Sequence, residues 1–152
     1  MSKAFVFSLD RMRGYKTQVL NTEKNTLYNL QIIRDNIEKK IQELREFREG
    51  KNRVFLAKAT ISPAELQSHN FYMENTAKQL EELNIELKKA EEEVQKQREI
   101  VISASQEVSG LDKLEEKQLE EYRHEVNKEN ETEINEQITS KLVRKDSDAA
   151  AT

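Results

Sequence analysis

Residues 66–111 read LQSHNFYMENTAKQLEELNIELKKAEEEVQKQREIVISASQEVSGL. Within them Leu66, Met73, Leu80, Leu87, Val94, Val101 and Val108 stand seven residues apart. Leu83, Ala90, Ala104 and Leu111 occupy the second position of the same heptad, interrupted by His69, Thr76 and Gln97. This spacing predicts a long helix with a narrow apolar seam, and a narrow seam requires a second helix to cover it. The partner is upstream in the same chain. Met12, Val19, Ile33, Phe47 and Val54 form one heptad row, and Leu9, Leu30, Ile37 and Leu44 another.

A reversal near residue 60 sets residue i against residue 120−i. Leu9 then faces Leu111, Val19 faces Val101, Ile37 faces Leu83, and Phe47 faces Met73. The polar layers, such as Glu23 with Gln97 and Lys51 with His69, read as register-fixing breaks. Leu27 and Ile41 lie one position off the chosen rows, within reach of two of the gaps. The fold expected is all-α: a long antiparallel two-helix coiled-coil hairpin with helix 2 longer than helix 1.

The expected organisation is a single unit over residues 1–152. Helix 1 spans about 8–57 with Ser8 as N-cap, the turn about 58–62, helix 2 about 63–143, and a disordered tail about 144–152. Ser62-Pro63-Ala64-Glu65 is a strong helix start, with serine at the cap, proline at the first helical position and glutamate three residues after the cap. The excess length of helix 2 leaves residues beyond about 113 without a helix 1 partner. The seam changes phase at Val108-Leu111-Leu114 beside Gly110, either as a local unwinding or as a hinge.

Composition narrows the function classes. The chain has 3 glycines, 1 proline and no cysteine, which suits uninterrupted helices and excludes disulfides and thiolate sites. Residues 1–58 hold 13 Lys and Arg against 7 Asp and Glu, whereas residues 112–136 hold 4 against 10. No block is basic enough for nucleic-acid binding. No apolar stretch approaches the ~20 residues that span a bilayer, so direct membrane insertion is not expected. The isolated glycines build no phosphate loop, and His69 and His124 stand apart without the converging ligands of a metal site. No cofactor and no catalytic residue is expected, because a seam supplies no pocket in which to shift a carboxylate's pKa.

Both ends of the chain carry further pattern. The start reads Phe5-Val-Phe7-Ser-Leu9-Asp-Arg11-Met12-Arg-Gly-Tyr15-Lys16. Downstream stands Leu111-Asp-Lys-Leu114-Glu-Glu-Lys117-Gln-Leu-Glu-Glu121-Tyr122-Arg-His-Glu125, followed by an acidic polar run to Glu136. In these motifs, and in its size and unequal helices, the chain resembles the FliJ family, small coiled-coil proteins of the bacterial flagellar type III export apparatus. The terminal motifs favour flagellar over virulence-type export.

The resemblance implies a non-enzymatic stalk and escort. Its partners would be the hexameric export ATPase, whose ring it binds and stimulates, the cytoplasmic domain of the export gate, and substrate chaperones that it helps recycle. It would be cytoplasmic and peripherally associated with the inner membrane through the export apparatus. The resemblance implies that the end holding both termini enters the ring, and Leu111, Leu114, Lys117, Glu121, Tyr122 and Glu125, which lie where helix 1 runs out, are read as the ring contacts. The resemblance implies that the gate lies toward the turn, where Phe55, Leu56, Phe71 and Tyr72 stand off the strict seam and are read as a docking patch, with packing around the turn as the alternative. Phe5, Phe7 and Leu9 either staple the helices or help grip a ring. The competing reading is a generic structural coiled-coil tether or scaffold, which needs only the seam.

Overall fold

Low glycine and proline content leaves little to interrupt a helix, and the chain forms two. The computed structural model describes residues 3–150. Helix α1 runs Asp10–Leu56 and α2 runs Pro63–Ala150, packed against each other, with no strand among the described residues. The fold is therefore the expected all-α hairpin with unequal arms.

The helix starts follow local chemistry. Ser62 caps α2: its Oγ accepts the Glu65 N–H at 3.1 Å and its carbonyl accepts the Leu66 N–H at 3.0 Å. At α1 the cap is displaced by one residue from Ser8. The Leu9 carbonyl accepts the first helical bond, from the Arg13 N–H at 2.9 Å, after a tight turn in which Asp10 N–H reaches the Phe7 carbonyl at 3.2 Å. Asp10 lies in the first turn and Arg53 in the last, both favourable to the helix dipole.

α2 also continues past the expected end near residue 143 to Ala150. Ala149 and Ala150 are the strongest of helix formers, and nothing after Gly110 breaks the helix. The last two residues of the expected tail, 151 and 152, lie outside the described residues. The helix passes through Gly110 without interruption.

The chain divides into two units, residues 18–105 and the N-terminal segment to Thr17 with Gln106 onward. In the first unit Leu20, Ile41, Thr76, Ala90, Val94 and Gln97 are buried, Val94 at 2% exposure. Gln97 donates to the Glu23 carbonyl at 3.0 Å and to the Glu23 carboxylate, the layer placed at i and 120−i. Elsewhere in this unit the contacts scatter about that rule. Phe47 meets Tyr72, and Phe55 meets His69.

From His69 onward the α2 seam is the one expected from sequence, whereas Leu66 is 46% exposed, and one α1 row is shifted. Ile33, Phe47 and Val54 are 51%, 56% and 67% exposed. The inward row is instead Leu20, Leu27, Arg34, Ile41, Arg48 and Phe55, all buried or half-buried. Arginine stems cover apolar surface while their heads reach out. Arg48 does this here, donating from Nε to the Thr76 hydroxyl at 2.8 Å and from a terminal nitrogen to the Met73 carbonyl at 3.1 Å.

Candidate interaction sites

In the unit that holds both terminal segments, the Phe5–Leu9 lead is a staple. Phe7 is buried at 5% exposure, and the Arg13 guanidinium lies 5.3 Å from its ring centre. Phe5 packs on Tyr122 with ring centres 5.6 Å apart, and the Tyr122 hydroxyl donates to the Lys3 carbonyl. Arg13 also gathers three carboxylates: Asp10 at 2.5 Å, Asp112 at 3.5 Å, and Glu115. Lys16 pairs with Glu107 at 2.9 Å. The hydrogen bond to Glu107, and then its charge, raise the Lys16 pKa above the ordinary lysine value.

This packing sorts the six expected ring-contact residues into two groups. Leu111, Leu114 and Tyr122 are half-buried, with Tyr122 fastened to the lead. Lys117, Glu121 and Glu125 are exposed and stand four residues apart, so they form one charged stripe along α2. The expectation that the faces beyond about 113 stand bare is corrected here: half-buried side chains continue to Val126. From Asn127 to Ala150 every side chain is exposed. The lead supplies cover that the seam arithmetic did not include.

In the other unit, the aromatic residues near the turn are likewise divided. Phe55 stacks on His69 with ring centres 3.9 Å apart and planes 3° from parallel, and His69 Nε2 lies 3.2 Å from Asn52 Oδ1. Tyr72 is half-buried, edge-on to Phe47 at 6.1 Å, with Lys51 Nζ 4.9 Å from its ring centre. The Tyr72 hydroxyl is buried without a protein hydrogen-bond partner. It borders an open groove that also includes Lys51, Phe55, Lys58, Glu65 and His69. Leu56 and Phe71, by contrast, are 70% and 71% exposed. Of the four expected gate-contact residues, two are therefore free apolar surface and two are packed.

Sequence reading missed Arg13 and Arg48 as organising residues. A signal for both was present: Arg13, Leu20, Leu27, Arg34, Ile41, Arg48 and Phe55 share one heptad row. No group of acidic, histidine or cysteine residues suited to a metal ion occurs among the described residues. No described helix is long and apolar enough to cross a membrane.

A protein-family model described as "Flagellar FliJ protein" matches residues 5–146, nearly the whole chain. No curated protein and no solved structure matches it.

Proposed function

Because the chain belongs to the flagellar FliJ family, whose members are non-catalytic components of the flagellar export apparatus, we propose that it acts there as a stalk and escort. In this reading it binds the hexameric export ATPase and stimulates its turnover without hydrolysing nucleotide itself. It also contacts the cytoplasmic domain of the export gate and assists the recycling of substrate chaperones. Through these partners it associates peripherally with the inner membrane.

One observation carries the assignment of a binding face. Lys117, Glu121 and Glu125 stay exposed as a stripe on a stretch of α2 whose neighbouring residues are held by the lead. A stapled helix presents such charges at fixed spacing, and presenting them in advance lowers the ordering cost of association. Leu111, Leu114 and Tyr122 then act by positioning that stripe. Exposed Leu56 and Phe71 supply the apolar surface for the gate, with Phe55 and Tyr72 packed beneath.

The test is the turnover of a purified export ATPase with and without the full chain. Wild-type protein is expected to raise turnover, and the triple variant Lys117→Glu, Glu121→Lys, Glu125→Lys to lose that stimulation while keeping its helicity. Unchanged turnover with wild-type protein defeats the mechanism. A tether tolerates removal of residues 112–152, whereas an ATPase-binding stalk loses binding and, in cells, motility.

A further inference from the structure

Beyond Val126 every described side chain of α2 is exposed, yet the helix runs on to Ala150. A polar helical stretch without tertiary cover is only marginally stable in water. This one carries an apolar stripe. Ile134, Ile138 and Leu142 recur every fourth residue at 55%, 51% and 58% exposure. Glu131 stands three residues before the stripe and Lys145 three residues after it. At 3.6 residues per turn all five fall within about 80° of one another, on one side of the helix.

The order of these five is self-complementary. Their spacings of three, four, four and three read alike from either end, and the charge at one end is opposite to that at the other. The surrounding sequence is divided in the same way. Residues 127–136 hold Glu129, Glu131, Glu133 and Glu136 against Lys128, whereas residues 140–145 hold Lys141, Arg144 and Lys145 and no acidic residue. A second helix of the same sequence laid parallel sets like charge beside like. Turned end for end, it sets each acidic half beside a basic half and lays one stripe on the other, an arrangement that steers the pairing and fixes its direction.

We propose that residues 128–148 of two copies of this chain pair antiparallel, residue i of one against residue 276−i of the other. Ile138 meets Ile138 on the two-fold axis, Ile134 meets Leu142 in the layer on either side, and Glu131 meets Lys145 at each end. On this register Val126, the last half-buried side chain of α2, falls opposite Ala150, where the helix ends. The overlap therefore uses the uncovered stretch and leaves the covered one alone. The contact is isologous, so it closes at two copies. Three apolar layers make a small interface, of the weak and transient class. A partner that takes this stretch competes with the pairing.

Oxidative cross-linking of the full chain tests the register, because the chain has no cysteine of its own. Ile138→Cys is expected to form a disulfide-linked dimer, since the axis brings its two sulfurs together. Glu131→Cys alone is expected not to link, because its two copies stand roughly 21 Å apart along the pair. An equal mixture of Glu131→Cys and Lys145→Cys should link. Sedimentation equilibrium tests the charge pairing. Wild type should dimerise more weakly at an ionic strength of about 1 M than at about 0.1 M. Glu131→Lys and Lys145→Glu should each weaken the dimer about tenfold, by setting like charges together in two layers. The variant carrying both changes restores opposite charges and should return to within about threefold of wild type. A monomer at every concentration overturns the proposal. So does linking of Glu131→Cys alone as fast as Ile138→Cys, which marks a parallel pair, and so does failure of the double variant to recover. Neither readout involves an ATPase, so both stand apart from the stimulation test.

Discussion

The two units fasten the same pair of helices by different means. Residues 18–105 rely on burial: Leu20, Ile41, Ala90 and Val94 make an apolar seam, and Thr76 and Gln97 are buried with their hydrogen bonds made. The unit formed by the terminal segments relies on charge and on an aromatic edge. Arg13 and Lys16 are paired with carboxylates of α2, and Phe5 and Phe7 cover what the seam does not. Buried contacts are little affected by salt, whereas exposed ion pairs are screened. The first unit is thus built to stay closed and the second to respond to its surroundings, which suits a partner-binding segment.

The largest effect expected is in the seam. Ile41→Ala should cost about 3 kcal/mol of unfolding free energy, read from urea denaturation followed by circular dichroism. A loss below about 0.5 kcal/mol would place Ile41 outside the core, within the range of ordinary surface changes. Thr76→Val should cost about 1 kcal/mol, because it leaves the Arg48 Nε–H without its acceptor. A double-mutant cycle with Arg48→Met is expected to recover most of that amount as coupling.

Tyr122→Phe removes only the hydroxyl that holds the Lys3 carbonyl. It should leave the global transition within about 0.5 kcal/mol while speeding proteolysis of the lead before Leu9. Equal cutting rates in the two proteins would dissolve the contrast between the units.

The smallest effect is that of Lys16. Its pKa is raised in the folded chain, first by the hydrogen bond to Glu107 and then by that residue's charge. The contribution is therefore fully present below the ordinary lysine value and is lost as pH rises through the raised one. Lys16→Met should differ from wild type at neutral pH and low salt. That difference should fade in strong alkali or high salt. A difference that persists under both conditions would assign Lys16 a packing role instead.

The sequence made some of this legible and hid the rest for physical reasons. The α2 seam was readable because its apolar residues recur without competition, and Ser62-Pro63 marked the turn because capping chemistry is local. One α1 row was misplaced by one position because α1 is apolar on two adjacent rows, while the row of Leu9, Leu30, Ile37 and Leu44 is half-buried as expected. The correct row includes Arg34 and Arg48, whose stems are apolar although their heads are charged. Stapling by the Phe5–Leu9 lead was readable as one of two alternatives, but the Lys3 carbonyl that the Tyr122 hydroxyl holds was not, since a main-chain carbonyl carries no sequence signature. Of the candidate residues, Tyr122 is the one held by that contact, whereas Phe55 and Tyr72 are held by their own ring contacts near the turn. The helix beyond residue 143 rests on intrinsic propensity, which the polar composition of the tail concealed.

Hydrogen exchange of the full chain with and without purified export ATPase bears most directly on the division between the two units. The expected result is protection centred on residues 111–125, with Phe55–Tyr72 unchanged. Protection confined to Phe55–Tyr72, or absent everywhere, would contradict the account.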